Sequence, residues 1–120
     1  MKYSISLKEN RDFRRLYTKG RSKSSSRMVL YCRKNRLRKN RIGITVSTKL
    51  GCAVKRNRIR RRMREVYRLN EERFEPGNDI VIVVRGKALD SEFSELTQTL
   101  LRLADALGLL KPDESQEEAL

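Results

Sequence analysis

Hydrophobic and polar positions along the 120-residue chain follow two periods, which predict both helices and strands. Apolar residues recur at helical spacing in segments that contain Phe13, Ile59 and Phe93. Residues 42–46 instead alternate Ile and Val with Gly and Thr, the pattern of a strand with one buried face. Residues 79–85 enclose a continuous apolar run, which is typical of a central strand buried on both faces.

Cap and turn residues set the limits of the first helix. Ser6 and Glu9 match the capping-box pattern S-x-x-E, and Gly20 is a natural helix stop. These signals predict a short helix that ends before Gly20. Residues 21–27, rich in serine and cations, are predicted to form an exposed connector.

The middle of the chain predicts two strands and a long helix. Residues 28–33 and 41–47 are predicted strands, which we expect the basic loop 34–40 to join as a hairpin. A basic helix then follows Gly51 and is expected to end near Phe74.

The C-terminal part predicts a turn, a strand and a last helix. Pro76-Gly77-Asn78 forms the turn before the apolar strand at 79–85. The last helix carries apolar residues from Phe93 to Leu107 and is stopped by Gly108.

The order helix-strands-helix-strand-helix predicts an α+β fold, a small α/β sandwich with helices packed on one sheet. The chain length predicts a single domain, which we place at residues 1–111. Residues 112–120 are acidic and are predicted to be disordered. Physical rules alone favour a right-handed crossover between the parallel strands of such a sheet.

Charge is concentrated in the N-terminal two thirds of the chain. The net charge is +14, and residues 1–73 carry 25 basic and only 5 acidic side chains. Residues 55–64 hold seven cations and no acid, while Ile59, Met63, Val66 and Tyr67 form a narrow apolar stripe. Like charges at i, i+3 and i, i+4 destabilise an isolated helix. A polyanion that neutralises them is the simplest explanation, so the helix predicts nucleic-acid binding.

Independent catalysis and membrane insertion are not expected. The chain has no histidine, the commonest general base, and its two cysteines are too few and too poorly spaced for a metal site. The carboxylates of the basic portion, Glu9 and Asp12 among them, are better explained as caps and charge pairs than as metal ligands. No apolar run is long enough to span a bilayer. We therefore expect a soluble, cytoplasmic protein that binds no membrane.

The segment after the second strand resembles a known family signature. Its Gly-x-Ala-Val-x-Arg-Asn-Arg core, formed by Gly51, Ala53, Val54 and residues 56–58, is similar to that of the bacterial ribonuclease P protein subunit. The resemblance covers roughly residues 3–107 and includes residues 7–20, 29–31 and 42–49. The chain differs slightly in having Thr48 where lysine is common and Cys52 where asparagine or alanine is usual.

The resemblance implies a function and an unusual topology. Members of this family are protein cofactors of a ribonucleoprotein endonuclease that matures the 5′ end of tRNA, so the expected partners are the catalytic RNA subunit and precursor tRNA. The RNA subunit performs Mg²⁺-dependent hydrolysis and binds most of the Mg²⁺, which implies a protein that is inactive alone. The family fold has a left-handed βαβ crossover, related to the second domain of a small-subunit ribosomal protein.

Two candidate surfaces follow from the residues and the resemblance together. The first, the basic face, is expected to bind the catalytic RNA through Lys49, Lys55, Arg56, Asn57, Arg58, Arg60, Arg61, Arg62, Arg64 and Arg68. The second, the aromatic groove, is expected to bind the single-stranded 5′ leader of precursor tRNA through Phe13, Tyr17 and Tyr31, with Arg11, Arg14, Arg15 and Arg27 along the leader backbone. No catalytic or metal-binding residue is predicted in the protein.

Other functions are compatible with the charge alone. A structural RNA-binding protein, such as a small ribosomal protein, would need the same cations, and so would a DNA-packaging protein. Neither would need aromatic rings that face solvent and can stack unpaired bases. The aromatic residues could instead belong to the core, and the exposure of Tyr17 and Tyr31 distinguishes these interpretations.

Overall fold

A computed structural model describes residues 4–112 of the chain. Its helices and strands run in the order β1 (Ser4–Ser6), α1 (Asn10–Lys19), β2 (Arg21–Ser24), β3 (Met28–Lys34), β4 (Asn40–Val46), α2 (Ala53–Asn70), β5 (Asn78–Val84) and α3 (Phe93–Ala106). The α+β class and the three predicted helices are therefore confirmed. The predicted acidic tail lies, apart from Pro112, outside the described residues.

The strands form one mixed sheet in the order β1-β4-β5-β3-β2. Strand β5 pairs in parallel with β4 and antiparallel with β3. Its central position was predicted correctly from its continuous apolar sequence, because Ile80 and Ile82 face one layer of the core while Val81 and Val83 face the other.

The predicted hairpin between the second and third strands of the fold is wrong. Strands β3 and β4 are neighbours in sequence, but β5 lies between them in the sheet. Apolar alternation identifies which face of a strand is buried and does not identify its partner. The apolar residues 80–84 of β5 can be buried on both faces only at the centre, so β5 separates the two earlier strands.

Two further predictions are wrong near the N-terminus. Residues 21–24, predicted as connector, form the edge strand β2, which pairs with β3 although all four side chains are exposed. Ser6 does not cap α1, because it lies in β1, which pairs in parallel with the start of β4. Helix α1 begins after Glu9, whose side chain makes no capping bond. Backbone hydrogen bonds pair β1 and β2 with the sheet. Such pairing needs no alternation of apolar side chains, so the sequence pattern does not reveal these two strands.

The helices cover the two faces of the sheet unequally. Helices α2 and α3 pack on one face and form the larger core with the inward residues of β3, β4 and β5. Helix α1 alone packs on the other face, where Leu16 contacts Leu7 and Val81 in a smaller core. Part of that second face stays accessible beside α1, which provides the floor of the predicted groove.

Ion pairs tie α1 to the sheet and engage three of the five acids of the basic portion. Arg41 donates two hydrogen bonds to Asp79, Nε to Oδ1 at 2.7 Å and Nη2 to Oδ2 at 2.6 Å, and a longer one of 3.4 Å to Asp12. Glu9 pairs with Arg11, and Glu65 pairs with Arg68. The prediction that these carboxylates form charge pairs is thus confirmed for Glu9, Asp12 and Glu65. Within residues 4–112 no helix has the length and apolar character needed to cross a membrane.

Candidate nucleic-acid interface

Helix α2 presents its basic residues outward because one stripe of the helix is buried. Ile59, Met63, Val66 and Tyr67 are all buried against the sheet and α3, as the sequence predicted. At about 100° per residue, the remaining positions divide into an outer face and two flanks, one toward α3 and one toward β1.

Four predicted RNA-binding arginines are already engaged by the protein. The Arg62 guanidinium donates to the Ser91 carbonyl at 2.9 Å, and Arg60 donates to Asn57 Oδ1 at 2.9 Å. Arg56 donates to the Gly51 carbonyl at 3.2 Å, and Arg68 forms the ion pair with Glu65. The hydrogen bond from Arg68 lowers the pKa of Glu65, which keeps this pair charged and mutually neutralised.

Five other predicted cations are exposed, and within the described chain they form no ion pair. They are Lys49, Lys55, Arg58, Arg61 and Arg64. Arg61 lies on the outer face, Arg58 on the flank toward α3 and Arg64 on the flank toward β1. An exposed guanidinium group can engage one phosphate or bridge two, and a lysine ammonium group acts as a point charge, so these five residues are the cations of the basic face available to phosphate. Lys49 lies just before α2, in the turn at Thr48–Leu50.

The two cysteines occupy opposite environments. Cys52 is exposed immediately before α2, where hydrogen bonding from the Lys55 backbone amide lowers the pKa of its thiol. Cys32 is buried in the core, and burial raises the pKa of its thiol. Of the two thiols, that of Cys52 is therefore the more reactive, and it lies at the edge of the basic face.

The three predicted groove aromatics are brought together on the sheet face beside α1. The ring centroids of Tyr17 and Tyr31 are 5.0 Å apart in an edge-to-face arrangement, and those of Phe13 and Tyr17 are 6.5 Å apart. Tyr17 is 41% exposed, whereas Phe13 and Tyr31 are half-buried. The hydroxyl groups of Tyr17 and Thr45 lie 3.2 Å apart. Tyr17 thus presents ring surface to solvent while its neighbours hold it in place.

The position of Phe13 depends on Gly43, a residue that sequence analysis did not assign to the site. A Cβ atom at Gly43 would lie 2.7 Å from Cε1 and Cζ of Phe13, so only glycine permits the ring to lie this close to β4. A glycine inside an alternating strand is the available signal for such an approach. Thr45 was also not predicted, because its contact with the Tyr17 hydroxyl group depends on how α1 packs on the sheet.

The predicted leader-backbone arginines are not all placed together. Arg11, Arg14 and Arg15 are exposed on α1, and helical geometry puts Arg14 nearest the Tyr17 side and Arg15 toward the opposite side. Arg27 is half-buried and bonds to Ser91 at 2.8 Å and to Glu95 at 2.6 Å. It therefore points to the α3 side of the sheet and not to the aromatic groove.

The basic face and the aromatic groove meet at one small cavity. This cavity, about 220 Å³, is lined by Arg64 from α2 and by Phe13 from α1, with Lys8 and Gly43 beside them. A polyanion bound along α2 can therefore continue past Arg64 to the ring of Phe13. The two predicted surfaces are therefore adjacent.

No metal-binding cluster accompanies this interface in the described part of the chain. Among residues 4–112, no three His, Cys, Asp or Glu side chains lie close enough together to hold an ion. The exposed cations described above fit the binding of a polyanion.

Comparisons with known proteins agree with this chemistry. The model of the Ribonuclease P family matches residues 1–108. The ribonuclease P protein component of Alkaliphilus metalliredigens is 41% identical over 110 residues, covering 92% of this chain and 99% of the relative. That of Clostridioides difficile is 41% identical over 98 residues, covering 81% and 86%.

Solved structures show the same fold. The RNase P protein of Staphylococcus aureus superposes with a TM-score of 0.80 at 31% identity, over 89% of this chain and 98% of that one. The RNase P protein of Thermotoga maritima superposes with a TM-score of 0.75 at 33% identity, over 81% and 92%.

Proposed function

Because the chain belongs to the family of ribonuclease P protein components, which act in tRNA 5′ processing, we propose that its two surfaces bind two different RNAs. As such a component it is part of a ribonucleoprotein endoribonuclease, and its family implies association with the ribonuclease P RNA. The basic face, with Arg58, Arg61 and Arg64 as its available phosphate contacts, docks on that catalytic RNA.

The aromatic groove binds the single-stranded 5′ leader of precursor tRNA. The observation that supports this role best is the exposure of Tyr17 beside Tyr31, since rings that face solvent can stack unpaired bases regardless of sequence. A purely structural RNA-binding protein has no need of such a groove. Arg14 is the cation on α1 best placed to follow the leader, because Arg11 pairs with Glu9 and Arg27 supports the loop before α3.

Catalysis belongs to the RNA subunit. The ribonuclease P family is generally Mg²⁺-dependent. We propose that the RNA holds most of the Mg²⁺, because the described residues include no cluster of ligands for it. The protein extends the substrate site along the leader and reduces the repulsion between two polyanions. The parallel pair β4 and β5, joined by α2, is proposed to have the left-handed crossover of this family.

Protein free of RNA should not cleave precursor tRNA at any Mg²⁺ concentration, because none of its described residues is placed to activate a water molecule. The test compares nuclease-treated protein with the same protein reconstituted with ribonuclease P RNA, by gel analysis of leader release. Cleavage by the treated protein alone would contradict this division of labour.

Docked RNA should also protect Cys52. A thiol-specific reagent is expected to modify Cys52 quickly in the free protein, since its pKa is lowered and its side chain is exposed, while Cys32 reacts only after unfolding. Bound ribonuclease P RNA should slow the fast reaction several-fold. Cys52→Ser, which should abolish the fast phase, is the control. An unchanged rate in the complex would show that the RNA does not cover the start of α2.

A further inference from the structure

An open pocket lies between α2 and the start of α3, on the flank of the basic face. Its volume is about 780 Å³, and Val54 and Phe93 form its apolar walls. Val54 is 76% exposed and Phe93 is 38% exposed. Arg58 and Arg61, two of the available phosphate contacts, line the same pocket. Glu65 also lines the pocket, but its carboxylate pairs with Arg68. Apolar surface and unpaired cations are therefore combined in one concave site.

The Phe93 side of the pocket is built rigidly although the ring is exposed. Phe93 is the first residue of α3, and a capping box between Glu92 and Glu95 fixes this turn, with the Glu92 amide donating to Glu95 Oε1 at 2.9 Å. Arg62 ties α2 to the segment just before α3 by its hydrogen bond to the carbonyl of Ser91. The backbone that carries the ring is thus fixed next to the basic face.

The combination of groups favours one kind of occupant. A scattered exposed apolar side chain needs no explanation, but these two line the same pocket. An apolar peptide would cover them and leave Arg58 and Arg61 desolvated without partners, which is costly. A nucleotide satisfies both requirements, because its base is flat and apolar on its faces while its phosphates are anionic.

We propose that the Val54–Phe93 pocket binds an unpaired nucleobase of the ribonuclease P RNA, which stacks on the ring of Phe93 while Arg58 and Arg61 hold its flanking phosphates. This inference rests on the proposed docking of α2 on the catalytic RNA. It adds a base-binding subsite to a face that sequence analysis treated as purely electrostatic.

Stacking and phosphate contacts respond differently to salt, and this difference provides the test. Phe93→Ala should weaken binding of the ribonuclease P RNA roughly 5- to 150-fold, the range for one stacked base. The slope of log affinity against log salt should stay unchanged, because no counterion is released by an aromatic contact. Phe93→Tyr should retain most of the affinity. Leu69→Ala, which truncates a 57%-exposed residue of α2 outside the pocket, is the matched control and should have little effect.

A fluorescent variant tests the contact directly and does not depend on stability. The chain contains no tryptophan, so Phe93→Trp introduces a single indole probe. Added by itself, the ribonuclease P RNA should quench the emission of Phe93→Trp more strongly than precursor tRNA added by itself. Either RNA should quench the emission of Leu69→Trp only weakly.

Three results of the fluorescence experiment would overturn the inference. They are a Phe93→Trp emission that the RNA leaves unchanged, equal quenching at both tryptophan positions, and stronger quenching by precursor tRNA than by the catalytic RNA. If Phe93→Ala has no effect while loss of the arginines of α2 still weakens binding, only the base subsite fails. If neither change matters, the docking of α2 itself is wrong.

Discussion

Replacing Arg58, Arg61 and Arg64 together with alanine should weaken binding of the ribonuclease P RNA by about 100-fold at ~0.15 M salt. These three arginines are exposed and, within the described chain, unpaired, so each can neutralise a phosphate and release its counterion. Each phosphate that is no longer neutralised should flatten the log-log salt dependence by about 0.7 to 0.9 units, or roughly two to three units in total. Filter binding across about 50 to 200 mM salt measures both quantities.

A second triple variant separates these contacts from net charge. Arg73, Arg102 and Lys111 are exposed around another surface pocket, near the C-terminal end of α3, and their replacement with alanine removes the same charge. Exposed charges beyond the Debye length of about 8 Å are largely screened at physiological salt. The control should therefore keep the original slope. Equal losses in both variants would mean that the protein binds RNA through overall charge and that α2 has no special role.

The same arginines show where sequence analysis reaches its limit. The apolar stripe of α2 was predicted correctly, because helical period alone determines which residues share a face. The sequence could not distinguish Arg62 from Arg61. Arg62 donates to the carbonyl of Ser91, 29 positions away, and only the packing of α2 beside α3 brings these groups together. Which cations are available for RNA is therefore a property of the tertiary structure.

Strand pairing shows a similar limit. Strand β5 was predicted as central because its side chains are apolar on both faces. Its insertion between β3 and β4 could not be read from a pattern that reports burial only. Strand β2 was missed because all of its side chains are exposed and backbone hydrogen bonds alone define it. The proximity of the three aromatic residues was nevertheless predicted correctly, since alternation along β3 placed Tyr31 opposite the buried Met28 and Leu30.

The two tyrosines of this cluster differ in how much of their role is structural. Tyr17 is 41% exposed, while Tyr31 is half-buried and packs against the smaller core. Replacement of Tyr17 should therefore change the melting temperature little, and replacement of Tyr31 should lower it modestly. The buried Phe74, which packs on Tyr67 at a centroid distance of 5.1 Å, provides a core control. Phe74→Leu should lower the melting temperature without selective loss of any RNA.

Changing Tyr17 and Tyr31 together to leucine should reduce holoenzyme affinity for precursor tRNA by roughly 1 to 3 kcal/mol for each base that no longer stacks. Leucine keeps apolar area but has no aromatic face, so the reduction should require a leader of several nucleotides. Affinity for mature tRNA should hardly change.

Tyr17→Phe, which removes only the hydrogen bond with Thr45, should bind precursor tRNA almost normally. Binding of both RNAs by the reconstituted holoenzyme, with a melting curve for each variant, gives the measurement. Equal reductions for precursor and mature tRNA would eliminate leader binding, because stacking in the groove can act only on an RNA that has a leader.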